Sequence, residues 1–246
     1  MNKFLLIIVM LVIVCSCSDD VLNEENKQFM LGTSNATFSF DSIKEPSNWC
    51  KYQSLEEMLA ACQIPENILQ SMTTEELITV CMSHPLKSNY IFYNNEIEGV
   101  KVIVENFNGF QELIKRPDGP EKVIAFYEDI NFDDGASLKY GKDFSGVTYL
   151  GFIELFLASN EMPQLYKGEN GAKLEDVSNR VFEKKLAMPD VCTFDISHSL
   201  LINACIKLEK KNLSKMDRET LASFIKCGGR LGNLDEYTNI SKITSK

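Results

Sequence analysis

The sequence predicts an all-α domain, an irregular layered array of about eight or nine short helices stacked as hairpins. Three observations carry this. Apolar residues recur at i, i+3, i+4 and i+7 along most of the chain. Ser/Thr-x-x-Glu signatures open these stripes, and prolines or paired glycines close them. The period-2 alternation of a half-buried strand is almost absent. No repeat of solenoid type is evident.

The N-terminus reads as an address rather than as fold. Lys3 precedes eleven unbroken apolar residues, Phe4 to Val14, too few for the roughly 20-residue helix that spans a bilayer. They fit the hydrophobic region of a secretory signal. Val14-Cys15-Ser16-Cys17 then resembles a bacterial lipobox, which implies cleavage after Ser16 and an acyl anchor on Cys17. Cys15 is the poorer acceptor, because Val14 would stand where a small residue is needed. Cys17-Ser18-Asp19-Asp20 also resembles the acidic export signal of Bacteroidetes surface lipoproteins. The expected location is the cell envelope, as an outer-membrane lipoprotein, with periplasmic and surface orientations both open.

Three regions follow: a signal at 1–16, an acylated acidic tether at 17–48, and one helical domain at 49–246. The tether is rich in Asp19, Asp20, Glu24 and Glu25 and poor in apolar groups, so ordering it gains little buried area. Phe38 and Phe40 are the exception, spaced as in a short strand or a docked extended segment.

Within the domain, Ser54 and Glu57 form a capping-box pair ahead of Leu55, Met58, Leu59 and Cys62, which share one face. Thr73 and Glu76 repeat that logic ahead of Leu77, Ile78, Cys81 and Met82, and Pro85 ends the helix. Further helices are expected at about 96–106, 108–116 and 120–130, the last with Asp118 as its cap and Pro120 in its first turn. Asn131 to Ser145 reads as a loop. Val147 to Ala158 is strongly apolar. Helices at about 171–187 and 194–211 flank Met188-Pro189-Asp190, and one at about 217–227 stops at Gly228-Gly229.

Composition narrows the function. The 246 residues carry 35 acidic and 25 basic side chains, a formal charge of -10. Such a surface lacks the cationic stripe that a nucleic-acid binder needs, so no nucleic-acid partner is expected. Residues 201–246 run the other way, with nine basic and five acidic side chains; this is a solvated helix face, or a docking face for an acidic partner or the membrane surface.

Chemistry-bearing motifs are sparse. Cys50, Cys62, Cys81, Cys192, Cys205 and Cys227 remain beyond the anchor, and an oxidising compartment permits disulfides among them. Cys62, Cys81, Cys205 and Cys227 fall on apolar helix faces, where a thiol acts as a small hydrophobe. No C-x-x-C occurs. Cys81 and His84 form a C-x-x-H pair, the weak metal candidate; two ligands make no site, and His84 at a helix end also suits capping. Asp195, Ser197 and His198 hold the residue types of a serine triad but crowd one helix, where Asp195 fits an N-cap better. Asp133-Asp134-Gly135 fails the calcium-loop register. No phosphate loop is present, and no cofactor is implied.

Trp49, Tyr52, Tyr90, Phe92 and Tyr93 offer stacking surfaces for a glycan, although most aromatics at helical spacing are core. Met72-Thr73-Thr74-Glu75-Glu76-Leu77-Ile78 with Cys81, Pro85 and Leu86, then Phe107-Asn108-Gly109-Phe110-Gln111-Glu112-Leu113 with Arg116 and Asp118, resemble a family of Bacteroidetes lipoproteins of uncharacterised function. The resemblance implies an envelope location and a helical architecture, and no catalytic residues. The leading expectation is a noncatalytic helical binding or scaffold domain, presented by a lipid anchor to an envelope protein or glycan. The alternative is an envelope hydrolase with an Asp/Glu pair in an aromatic-lined cleft.

Overall fold

A computed structural model describes residues 38–130, 145–187, 193–210, 212–231 and 233–245. The signal segment, Cys17, the first part of the tether, most of the loop from Asn131, the Met188-Pro189-Asp190 break and Cys192 lie outside the described residues. The described chain is all-α. In order it forms α1 (Asp41–Lys44), α2 (Pro46–Trp49), α3 (Leu55–Ala61), α4 (Glu66–Ser71), α5 (Thr74–Met82) and a 3₁₀ turn (Lys87–Phe92). Then come α6 (Glu96–Asn106), α7 (Asn108–Lys115), α8 (Gly119–Glu128), α9 (Ser145–Ala158) and a second 3₁₀ turn (Pro163–Tyr166). The chain finishes with α10 (Gly168–Ala187), α11 (Thr193–Glu209), α12 (Lys215–Lys226) and α13 (Leu234–Thr244). Among these residues no helix is long and apolar enough to cross a membrane.

The helix count therefore exceeds the expected eight or nine. Several extra elements are too short to carry a periodic stripe: α1, α2, α4 and the two 3₁₀ turns. Residues 38–48, assigned by composition to the tether, include α1 and part of α2, and Phe40 is buried in the core. The C-terminal α13 has a readable signal that the apolar count obscured. Asn233 accepts from the Glu236 amide, and its own side-chain amide reaches the Glu236 carboxylate. Ile240 and Ile243 then supply the buried face.

Local rules hold where they were strong. Ser54 accepts the Glu57 amide at the start of α3. Thr73 and Glu76 make the complete reciprocal box at the start of α5. A Thr73→Ala substitution is expected to cost about 1 kcal/mol, read as a lower urea midpoint at unchanged slope. At the end of α12, Gly228 and Gly229 have φ of 68° and 79°. Their amides bond back to Ile225 and Phe224, a Schellman closure that needs residues without a Cβ.

Packing centres on two helices. α9 is apolar on every side: Phe152, Ile153, Leu155, Phe156, Leu157 and Ala158 are all buried, as expected of a helix enclosed by others. It packs on α11, α6, the first 3₁₀ turn and α5. α11 in turn touches α9, α10, α12 and α13. α10 and α11 run antiparallel, since Glu175 pairs with Lys207 and Ser178 bonds Asn203. Sequential hairpins thus supply only part of the architecture, and α9 is the post around which they are laid.

The residues behind the family resemblance interlock here. Arg116 donates to the Met72 and Leu69 carbonyls at the end of α4 and to Thr74 Oγ1. Thr74 donates to Asp118 Oδ1 at 2.9 Å, so Asp118 braces α5 and makes no side-chain cap on α8. The Asn108 side chain bonds both the amide and the carbonyl of Ile64, at 2.9 and 2.7 Å. Those motifs join α3–α5 to α6–α8.

Candidate functional site

The most concentrated chemistry lies inside the core, where α8, α9, α10 and α11 meet. Glu154 is the one charged residue in the apolar run of α9, and its side chain is fully buried. Three donors converge on it. Tyr127 Oη of α8 and Ser199 Oγ of α11 donate to Oε1, at 2.7 and 2.6 Å. Lys185 Nζ of α10 donates to Oε2 at 2.6 Å. Tyr127, Glu154, Lys185 and Ser199 are each no more than 1% exposed. Burial, and next the neighbouring Glu154 charge, push the Tyr127 hydroxyl well above its usual range.

A second buried carboxylate sits beside this group. Glu96 opens α6, and its Oε2 lies 2.9 Å from His198 Nε2, with Arg230 at 3.7 Å from Oε1. Consecutive residues of α11, His198 and Ser199, thereby tie the two carboxylates to one helix. Tyr90 packs against the same place: a Cβ at Gly151 would lie 2.3 Å from its hydroxyl and 3.4 Å from the His198 ring. Only a glycine on α9 admits Tyr90 there.

Farther along α10 and α11 the polar contacts run from the buried Ser178 and Asn203 out to the partly exposed Glu175 and Lys210. Asn203 accepts a short bond from Ser178 and donates to Asn179. Lys207 and Lys210 flank Glu175 at 3.0 and 2.7 Å. Burial pushes Glu175 up, but the lysine hydrogen bonds outweigh it and hold the carboxyl below its ordinary value.

Chemically, the Glu154 cluster is an internal ion pair with its hydrogen-bonding capacity used by the core. An isolated carboxylate in that position would be strongly destabilising. Lys185 compensates the charge, and Tyr127 and Ser199 satisfy the lone pairs. As packed, these side chains meet one another rather than a substrate.

Two readings of the Asp195–Ser199 stretch change. α11 begins at Thr193, so Asp195 lies within its first turn and is not its N-cap. His198 and Ser199 turn to different carboxylates, each on a different helix. His84 is likewise not a helix cap: it is buried, and its Nδ1 accepts the Leu86 amide at 3.2 Å. Cys81 precedes it in the core. Among the described residues no group of three or more His, Cys, Asp or Glu side chains is placed to hold a metal ion.

Comparison with family models, curated proteins and solved structures returns no match.

The cysteines divide by burial. Cys62, Cys81 and Cys205 are buried free thiols, and burial pushes the Cys62 and Cys205 thiols up to about 12. Such groups are poor nucleophiles at neutral pH. Cys227 is exposed, against the expectation of a core position, with Sγ near the Phe224 and Arg230 carbonyls. Cys50 is exposed as well.

The aromatic candidates do not share one role. Tyr90 is core, and the Tyr93 ring backs Gly99. Trp49 and Tyr52 are half-buried and meet edge to face at 5.8 Å. Phe92, at 44% exposure, is the one turned to solvent. Phe107, Phe110, Phe152 and Phe156 form a continuous interior cluster.

The sequence reading passed over Glu154, Lys185, Tyr127 and Glu96 as a set. One signal was available: Lys185 follows Leu174, Val177, Ser178 and Val181 on the buried stripe of α10, so a charge was due inside, and Glu154 interrupts an otherwise apolar helix.

Proposed function

We propose that the chain is an envelope lipoprotein, anchored through Cys17, whose helical domain is a noncatalytic binding or scaffold module. The observation that carries this is how the buried ionisable groups are used. Glu154 and Glu96, the two buried carboxylates among the described residues, are tied to Lys185 and His198, an arrangement that orders four helices against each other. Glycosidase chemistry calls for two carboxyls facing a bond across a gap of about 5–10 Å; here Glu154 faces Lys185 and Glu96 faces His198 of the same core. The apolar run Phe4 to Val14, with Ser16 and Cys17 after it, supports the anchor. The interlocked Thr74, Arg116, Asp118 and Asn108 support kinship with the Bacteroidetes lipoproteins that the two motifs resemble.

Metabolic labelling tests the anchor. The wild-type chain is expected to incorporate palmitate and sediment with membranes, and a Cys17→Ser chain to do neither. Palmitate on the Cys17→Ser chain overturns the assignment. Turnover of envelope glycans or peptides by the purified full chain overturns the noncatalytic reading. Recovery of one envelope partner in stoichiometric amount supports it.

A further inference from the structure

His84 lies just beyond α5 in a chemically constrained position. Its ring is fully buried, 4.7 Å from Phe107 and 5.5 Å from Phe40, and Phe38 meets Phe40 edge-on at 5.1 Å. Nδ1 accepts the Leu86 amide, so the ring proton resides on Nε2, which has no hydrogen-bond partner among the described residues. This geometry holds the imidazole neutral. A second proton has to enter at Nδ1, where it faces an amide that is itself a donor.

The charges around the ring oppose that proton too. Lys87, on the 3₁₀ turn that follows, acts on His84, and Lys44 of α1 acts on Lys87. Phe40 and Phe107 bring no charge. Cys81, in the last turn of α5, is a thiol pushed well above its usual range by burial.

Phe40 belongs to the segment Phe38–Trp49, whose helices α1 and α2 touch each other. Phe40 enters the core and Phe38, Ile43 and Trp49 lie half-buried against it, so two one-turn helices held by these side chains can open without unfolding the body. Opening uncovers the side of the His84 ring on which Phe40 packs.

We propose that the Phe40–His84–Phe107 stack is an acid-sensitive latch, in which proton uptake at His84 releases the segment Phe38–Trp49 from the helical body. With the segment docked, burial and then the Lys87 charge hold His84 down to about 3; released, it returns to its ordinary value of about 6.5. The released state therefore binds the proton first. Docking is at full strength above that ordinary value and weakens as pH falls toward the docked one, tenfold per unit. From about pH 7.5 to about pH 5 the released-to-docked ratio is expected to rise about 30-fold. Lys87, lowered to about 8 by burial and Lys44, is charged across most of that window and contributes little slope below it.

Hydrogen exchange on the full-length chain in detergent reads this ratio. The amides of Lys44 and Trp49, bonded to the Phe40 and Glu45 carbonyls, report the segment once corrected for intrinsic pH dependence. The expected result is the 30-fold rise in the wild type and a flat profile in His84→Gln. A flat wild-type profile, or a slope that survives in His84→Gln, overturns the latch. Should His84→Gln not fold, proton NMR decides instead, with only two histidines to assign. Phe40→Ala is then expected to move the His84 titration from below pH 5 to near its ordinary value, and an unmoved titration overturns the proposal.

Discussion

Replacing Lys185 by methionine is expected to lower the unfolding free energy by about 3–5 kcal/mol. The substitution keeps the length and apolar bulk of the side chain and removes its charge. Glu154 stays where it is, on a helix enclosed by others, with Tyr127 and Ser199 still donating but no cation to balance it. Typical domains unfold at a cost of about 5–15 kcal/mol, so this is a large share of the total. A partner variant separates charge imbalance from packing. Adding Glu154→Gln to Lys185→Met removes the orphaned charge while keeping an acceptor for Tyr127 and Ser199, and recovery of most of the loss is expected. Chemical denaturation with the slope monitored checks both. A single-variant loss under about 1 kcal/mol would mean that water reaches the pair.

The second large effect lies in the aromatic interior. Phe110→Ala is expected to cost about 3–5 kcal/mol, because the cavity it leaves collapses only in part. Phe110 is fully buried, with ring centroids 6.0 Å from Phe107, 5.9 Å from Phe152 and 5.0 Å from Phe156. These rings come from α7, the α6–α7 junction and α9, so no single neighbour can close the space. Phe92→Ala is the matching control. Its half-exposed ring on the 3₁₀ turn is expected to matter by less than about 0.5 kcal/mol. Thermal or urea unfolding of the two variants side by side checks the contrast, and equal losses would refute the placement of the core.

What the two substitutions disturb was unequally visible in the sequence. Phe107 and Phe110 sat in a motif, and Phe152 and Phe156 lay at helical spacing, so their burial was readable. Lys185 and Glu154 were readable only as oddities, a charge on an apolar stripe and a charge inside an apolar helix. Nothing local says that these two, 31 positions apart, answer each other. The pairing of His198 with Glu96 spans 102 positions and carries no local signature. For the same reason, His84 was read as a helix-end group: its partners, Phe40 and Phe107, come from elsewhere in the chain.

The all-α class, the starts of α3 and α5, the presence of α6, α7, α8 and α12, and the Gly228-Gly229 stop were determined by the sequence alone. They depend on spacing and capping within one turn or two, and those forces act between near neighbours. The tertiary structure decided the rest: that residues 38–48 include packed helices, that α9 stands at the centre, and that the buried charges are shared among four helices. Those outcomes follow from which apolar faces meet once the chain collapses. A buried charge is tolerable only where that meeting brings it a partner.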